Sequence, residues 1–194
     1  MQTTTQPPTP GPLIFVRHGA TEPNLAGLRC GGDLDVPLTD VGRRQAAAVG
    51  QQLRALATPV NLIISSALMR AFETARIIGR ELDGVDVIVE PGFAERHLGA
   101  WNLRPVADTE ADLARGATPP GGESSAEFFD RIAAAARTVL QHLDRSPLLV
   151  GSKGVARALG DLLEQPGRQG LANGELAHFD LAGFARRNTL RCRA

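Results

Sequence analysis

Arg17 and His18 stand together at the end of a short apolar run, Leu13–Arg17, and their side chains could do chemistry on a phosphate. A guanidinium recognises a phosphate through a planar, bidentate pair of donors. An imidazole acts as a general base, a general acid or a nucleophile toward phosphorus. Because ligands of α/β proteins bind at the carboxyl ends of strands, this pair marks a candidate site.

Polar residues also follow three other apolar runs that read as strands. They are Ser65, Ser66 and Arg70 after the second run, Glu95 after the third, and Ser152 and Lys153 after the fourth. In a parallel sheet these strand ends meet at one edge, so we expect the side chains to converge there. Such a set suits phosphoryl transfer, in which cations neutralise the spread charge, a nucleophile attacks and an acid protonates the leaving oxygen.

Runs rich in β-forming residues alternate with helical patterns along the chain. This alternation predicts an α/β fold with three α/β/α layers and a mainly parallel central sheet. The predicted strands are 13–17, 61–65, 85–89, 147–151 and 175–181, and the predicted helices are 40–57, 68–82, 125–144 and 155–163. For the first of these helices we expect Thr39 as the N-cap and one apolar side made by Val41, Val49, Leu53 and Leu56. Residues 101–123 lack periodicity and are predicted to be a loop or short-helix insertion near the site.

Length and composition are those of an ordinary globular domain. The chain has 194 residues, of which 43% are hydrophobic and 22% are charged. We therefore predict a single domain over residues 13–194. Residues 1–12 contain four prolines but neither a basic nor an apolar signal region, so we predict a flexible N-terminal tail there.

The charge balance and the cysteines exclude several classes of function. Because 21 basic residues match 21 acidic ones, the chain lacks the basic surplus of a nucleic-acid or membrane-surface binder, and we expect neither partner. The two cysteines, Cys30 and Cys192, form no metal-binding motif, so we expect no metal and no cofactor. Few cysteines and no apolar span of membrane length favour a cytoplasmic location.

Five segments carry recognisable patterns: Arg-His-Gly-Ala-Thr-Glu-Pro-Asn at 17–24, Arg-Cys-Gly-Gly-Asp-Leu-Asp-Val-Pro-Leu-Thr at 29–39, Ser-Ser-Ala-Leu-Met-Arg-Ala at 65–71 with Thr-Ala at 74–75, Glu95 with Gly99 and Trp101, and Gly-Gly-Glu-Ser at 121–124. Together they resemble the signatures of the histidine phosphatase superfamily, the phosphoglycerate-mutase-like family. The chain is identified as a member of that family by this resemblance.

The resemblance implies a covalent mechanism and a site. His18 would attack phosphorus to form a phosphohistidine, held by Arg17 and Arg70, with Asn24 as a further phosphate ligand. Glu95 would protonate the leaving oxygen and then activate water. For this role the attacking nitrogen of His18 must be unprotonated, so we expect a hydrogen bond to fix its other nitrogen. The implied substrate is a small phosphorylated metabolite.

The chain departs from the family pattern after the fourth predicted strand. The family pattern Val-Ser-His-Gly-Gly-Val-Ile-Arg-Ala-Leu resembles Val-Gly-Ser-Lys-Gly-Val-Ala-Arg-Ala-Leu at 150–159, which places Ser152 where the family has a second catalytic histidine. A hydroxyl donates one hydrogen bond but carries no charge. Lys153 could restore a cation, so both residues are candidate phosphate ligands. Gly31 likewise stands where the family usually has glutamine, and Ala20 where glutamate is common.

Three functions therefore stay open. The first is a phosphatase of small phosphorylated metabolites that uses His18. The second is a catalytically impaired family member that binds a phosphorylated ligand, since loss of one preorganised donor typically costs about 10²–10³ in rate. Phosphoglycerate mutase activity is a third, less favoured because the chain lacks the extra segment that mutases of the family carry before the 121–124 block. The sequence assigns neither a particular metabolite nor an oligomeric state.

Overall fold

A computed structural model describes residues 12–56, 59–165 and 170–191, and it contains a five-stranded sheet. The strands are β1 (Leu13–Arg17), β2 (Leu62–Ser65), β3 (Val87–Val89), β4 (Pro147–Gly151) and β5 (Leu176–Phe179). Their order across the sheet is β3-β2-β4-β1-β5, and all neighbours are parallel except β1 and β5. The tail predicted at residues 1–12 lies outside the described residues except for Pro12.

Seven α-helices accompany the strands in the described part of the chain. They are α1 (Glu22–Leu25), α2 (Asp40–Arg54), α3 (Met69–Glu81), α4 (Val106–Ala114), α5 (Ser125–Leu140), α6 (Lys153–Leu162) and α7 (Ala182–Arg191). The sequence pattern missed α1 and α7. It also started α6 two residues too late and ended α5 four residues too far along the chain, where a short 3₁₀ turn, Leu143–Arg145, follows instead. No helix of the described residues has the length and apolarity that a membrane crossing needs.

Side-chain alternation along β1 gives the sheet two apolar faces. Leu13 and Phe15 join a core with residues of α5 and α6, whereas Ile14 and Val16 join a second core with residues of α2 and α3. Each face of the sheet is thus covered by helices. The predicted three-layer α/β/α architecture with a mainly parallel sheet is confirmed.

Helix α2 begins as expected, and Val49 and Leu53 of the expected apolar side are buried, but Val41 and Leu56 are not. The hydroxyl of Thr39 accepts a hydrogen bond from the Gly42 N–H at 3.1 Å, as an N-cap should. Val41, expected on the apolar side, is 39% exposed, and Leu56 lies beyond the end of the helix and is also exposed. The buried side is centred roughly a third of a turn away from Val41, since the helix advances about 100° per residue. Its members are Gly42, Ala46, Val49, Gly50 and Leu53.

Strand β5 runs opposite to its neighbour, which decides what reaches the edge that carries the candidate site. Leu176 pairs with Val16 and Phe179 pairs with Leu13. The chain therefore enters β5 at the edge where the parallel strands end. As a result, the segment before β5, residues 170–175, joins the strand ends that carry the predicted site residues.

We expect Phe15→Ala to destabilise the protein by about 3–5 kcal/mol, because its ring is fully buried and packs edge-on against Phe179 at a centroid distance of 5.9 Å. Denaturant unfolding of the variant measures this loss. Val41→Ala is the control, since this exposed side chain should change the unfolding free energy by less than about 1 kcal/mol. Equal effects of the two substitutions would contradict the packing described here.

Candidate active site

The ends of β1, β2 and β4 meet at one edge of the sheet. Arg17 pairs with Gly151, and the next N–H, that of His18, donates to the carbonyl oxygen of Gly151 at 2.9 Å. The N–H of Ser66 donates to the carbonyl oxygen of Val150 at 3.4 Å. The parallel pairing thus brings the segments that follow three strands side by side.

His18 is buried, with 3% of its surface exposed, and its ring has a defined tautomer. Its Nδ1 lies 2.7 Å from the carbonyl oxygen of Gly19, and a carbonyl oxygen only accepts, so Nδ1 carries the hydrogen. The lone pair is then on Nε2. Burial, and secondarily the positive charges of Arg70 and Arg17, hold the pKa of His18 well below its ordinary value, although the bond to Gly19 opposes this. The imidazole is consequently neutral at pH 7, as a nucleophile must be.

Arg17 is anchored by one nitrogen. Its Nη1 donates to the carbonyl oxygen of Leu171 at 2.7 Å, while its Nε is buried with no partner among the described residues. Burial lowers the pKa of Arg17, the charge of Glu95 raises it and that of Arg70 lowers it. Arg17 therefore offers a donor and a positive charge near Glu95.

Arg70 lies deeper than Arg17, with only 1% of its surface exposed. Its guanidinium donates to the carbonyl oxygens of Leu34 at 2.9 Å and Gly31 at 3.0 Å. These bonds tie it to the 29–39 loop, and its charge acts on His18. Arg70 thus contributes positive charge from behind the site while it holds a loop at the rim.

The carboxylate of Glu95 is held by two backbone N–H groups. Oε1 accepts from Arg96 at 2.8 Å, and Oε2 accepts from Gly154 at 2.9 Å. Gly154 is the second residue of α6, so the carboxylate lies at a helix N-terminus, where the dipole favours negative charge. A Cβ on Gly154 would come within 2.8 Å of the carboxyl carbon. Only glycine at this position lets Glu95 occupy this place.

Arg131, on α5, holds the loop that carries Glu95. It donates to the carbonyl oxygens of Gly92 and Ala94, both at 2.9 Å, and pairs with both carboxylate oxygens of Glu123, at 3.0 and 2.7 Å. Sequence reasoning missed Arg131. The available signal was Glu123 in the 121–124 block, whose carboxylate is 12% exposed in the structure and has Arg131 as its cationic partner.

Asn24 is oriented by a residue that sequence reasoning also missed. The side-chain oxygen of Asn24 accepts from the Thr21 N–H at 3.2 Å and from Nδ2 of Asn173 at 3.1 Å. The same Nδ2 donates to the carbonyl oxygen of His18 at 2.9 Å. With its oxygen occupied, Asn24 has its N–H groups available as donors.

The departure at Gly31 has a steric reason. A Cβ at Gly31 would lie 2.8 Å from the backbone nitrogen of Leu98, so no glutamine fits here. The close approach is maintained by Asp33, whose carboxylate accepts from the N–H groups of Leu98 at 2.9 Å and Gly99 at 2.8 Å. The 29–39 loop therefore packs directly on the loop of Glu95.

A cavity of about 260 Å³ opens between these loops and α6. Four of the predicted site residues line it, namely Arg17, Asn24, Glu95 and Lys153. His18, Arg70 and Ser152 are buried beside it rather than among its lining residues. Three further cations that sequence reasoning did not single out also line it: Arg29, Arg96 and Arg157.

Ser152 and Lys153 occupy different environments at the start of α6. Ser152 is the N-cap residue and is 5% exposed, and its hydroxyl has no hydrogen-bond partner in the described part of the chain. Lys153 is exposed at the cavity. The other three histidines are all described, and none lines the cavity: His97, His142 and His178. The alignment of Ser152 with a family histidine stays a prediction.

Known proteins share both the sequence pattern and the fold. The sequence pattern of the histidine phosphatase superfamily (branch 1) matches residues 13–184. A glucosyl-3-phosphoglycerate phosphatase of Mycolicibacterium vanbaalenii is 40% identical over 129 residues, 61% of this chain and 55% of the relative. A probable phosphoglycerate mutase GpmB of Proteus mirabilis is 37% identical over 161 residues, 78% of this chain and 72% of the relative.

A solved structure of mycobacterial glucosyl-3-phosphoglycerate phosphatase Rv2419c in complex with VO3 superimposes with a TM-score of 0.70. It is 31% identical, and the match covers 87% of this chain and 90% of that one. The chain belongs to the histidine phosphatase superfamily.

We expect Gly154→Ala to displace the Glu95 carboxylate and to lower kcat by about tenfold or more, while the fold is retained because alanine is the better helix former. Steady-state kinetics and denaturant unfolding of the variant measure the two effects. Gly160→Ala is the matched control on the same helix, where the nearest atom to the added Cβ is 3.1 Å away. An unchanged kcat for Gly154→Ala would show that Glu95 need not sit at this helix end.

The lowered pKa of His18 makes folding stability depend on pH. Below pH 6.5 the unfolded chain binds a proton at this histidine that the folded chain does not, so stability is present above pH 6.5 and falls as the pH drops toward the lower folded pKa. Between pH 7.5 and 5.0 we expect the wild type to lose more unfolding free energy than His18→Gln, by roughly 1 kcal/mol per pH unit below 6.5. Parallel urea unfolding curves of both proteins measure the difference, and equal losses would refute a buried neutral His18.

Proposed function

We propose that the protein hydrolyses phosphate esters of small metabolites through a phosphohistidine on His18, with Glu95 as the proton donor. The single observation that carries this proposal is the neutral, buried His18. Its Nδ1 hydrogen is engaged by the Gly19 carbonyl, so that Nε2 carries the lone pair. Phosphatase activity on small phosphorylated metabolites is also supported by membership of the family and by the activity named for its relative.

The first step transfers the phosphoryl group to the protein. The ester binds as its monoanion and gives its proton to the Glu95 carboxylate. Nε2 of His18 attacks phosphorus, the bond from phosphorus to the ester oxygen breaks, and that oxygen takes the proton from Glu95. The departing alcohol leaves the phosphoryl group on the imidazole. Arg17 and Arg70 stabilise the charge on the phosphoryl oxygens, with Asn24, Ser152 and Lys153 as further donors.

The second step restores the enzyme. Glu95, now a carboxylate, accepts a proton from water, and the water oxygen attacks phosphorus. The bond from phosphorus to Nε2 breaks, which returns the lone pair to His18, and inorganic phosphate leaves with the proton that Glu95 had accepted. No cofactor takes part in either step of the proposal.

The size and charge of the cavity support a small anionic substrate. Its volume of about 260 Å³ is below the range of roughly 300–1,000 Å³ that holds drug-sized ligands. A small metabolite therefore suits the cavity better than a nucleic acid. We propose a cytoplasmic location as well, which the free thiol of Cys30 supports.

A phosphate-binding protein without turnover is the second candidate, and the observation that favours it is Ser152. The hydroxyl of Ser152 is uncharged, so it supplies no positive charge to the phosphoryl group. Lys153 lies next to it at the cavity. Mutase activity, the activity named for the Proteus mirabilis relative, ranks third.

Phosphate release from a panel of small phosphate esters tests the proposal. We expect the wild type to release phosphate and His18→Ala to lose at least about 10³-fold in kcat/KM, because no other group supplies the nucleophile. Turnover that survives in His18→Ala would overturn the phosphohistidine. Binding without turnover in the wild type, together with a large gain in rate for Ser152→His, would favour the second candidate.

A further inference from the structure

Lys153 and Arg157 form a cationic pair that the two proposed chemical steps do not fully use. They stand four residues apart on α6, so their side chains share one face of the helix. Both are exposed and both line the cavity. Neither makes a hydrogen bond or an ion pair with any residue of the described ranges.

Apart from Arg17, which the proposed mechanism assigns to the phosphoryl group, the other cations of the cavity are already engaged. Arg29 pairs with Glu110 at 2.5 Å. Arg96 donates to the carbonyl oxygens of Glu123 at 2.8 Å and Ala117 at 3.0 Å. Besides Arg17, Lys153 and Arg157 are therefore the lining cations of the described residues whose charge and donors are free for a ligand.

The local charge of the cavity differs from that of the whole chain. The chain has no net charge, yet five cationic and only two acidic side chains line the cavity. Arg157 also lies close enough to Arg96 for its charge to lower the pKa of Arg96, after the larger effect of burial. An anion between these side chains would relieve that repulsion, whereas a neutral ligand would not.

The position of Arg157 separates it from the reacting phosphorus. Helix α6 begins next to His18, and Arg157 is five residues beyond the N-cap Ser152. At 1.5 Å per residue this is roughly 7 Å along the helix axis. The charge of Arg157 reaches Arg96 but is not among the charges that shift the pKa of His18. A group bound at Arg157 is therefore a different part of the ligand from the phosphoryl group at His18.

We propose that Arg157, together with Lys153, recognises a second anionic group on the substrate, so that the enzyme selects phosphate esters that also carry a carboxylate or a second phosphate. This inference rests on the proposed function for the position of the transferred phosphoryl group. Lys153 lies between the two anionic groups and contacts either one. Arg157 contacts only the second.

Matched ester pairs test the selection. One pair is 3-phosphoglycerate and glycerol 3-phosphate, which differ by a carboxylate against a hydroxymethyl group. The other is propane-1,3-diol bisphosphate and 3-hydroxypropyl phosphate, which differ by a second phosphate. In the wild type we expect, in at least one pair, a higher kcat/KM for the ester that carries the second anionic group. The pair with this difference in kcat/KM shows whether that group is a carboxylate or a phosphate.

Arg157→Gln should lower the ratio of kcat/KM within that pair by about 10–100-fold. This is the contribution expected from a hydrogen bond to a charged group. The lower preference should come mainly from a higher KM for the ester that carries the second anionic group. Lys153→Gln should lower the preference less, since Lys153 also serves the phosphoryl group. Arg80→Gln is the matched control, because this exposed arginine lies in the last turn of α3, at the opposite edge of the sheet. The substrate preference of this variant should equal that of the wild type.

Failure of this inference differs from failure of the proposed function. If the wild type hydrolyses both members of each pair equally well, or if Arg157→Gln keeps the preference, the second anionic site is refuted while the phosphatase stands. If the wild type hydrolyses none of the esters, the proposed function fails. The same esters are then titrated calorimetrically, and a preference in Kd that Arg157→Gln removes would support the site, whereas no such preference would refute it.

Discussion

The site depends on one contact, the hydrogen bond from the Gly154 N–H to the carboxylate of Glu95. It joins the N-terminus of α6, which follows β4, to a loop that follows β3, and these strands are not neighbours in the sheet. The helix dipole and the free N–H favour a carboxylate there, and the missing Cβ leaves room for it. The Glu95 loop is in turn the support against which the 29–39 loop packs.

The lowered pKa of His18 follows from its burial among these loops and from the arginines beside it. Burial and two arginines keep the imidazole neutral, which preserves the lone pair that a nucleophile needs. In the proposed mechanism the same positive charges attract a phosphate dianion and stabilise it after transfer. Under that proposal one environment serves both the nucleophile and its target, because a cation repels a proton on the histidine and attracts the phosphoryl oxygens.

Much of the architecture could be predicted because strand and helix periods are local. The alternation in β1 and the Thr39 cap depend only on neighbouring residues. The rule that ligands bind at the carboxyl ends of parallel strands then predicted Arg17, His18 and Glu95 at one edge. Val41 was misplaced because the buried side of α2 depends on where α3 and the sheet lie, which the helical period alone does not specify. Asn173 was missed for a similar reason, since it reaches the site only because β5 runs antiparallel.

The amino-acid sequence by itself determined the family, the layered α/β class and the residue types of the candidate site, since these depend on short motifs and local periodicity. Only the tertiary structure decided the tautomer of His18 and the position of the Glu95 carboxylate at the N-terminus of α6. It also decided the hydrogen bonds by which Arg131 holds the Glu95 loop and the position of Arg157 at the cavity. Each of these depends on a contact between segments far apart in the chain. Such contacts are selected by packing and charge in three dimensions, which no local pattern records.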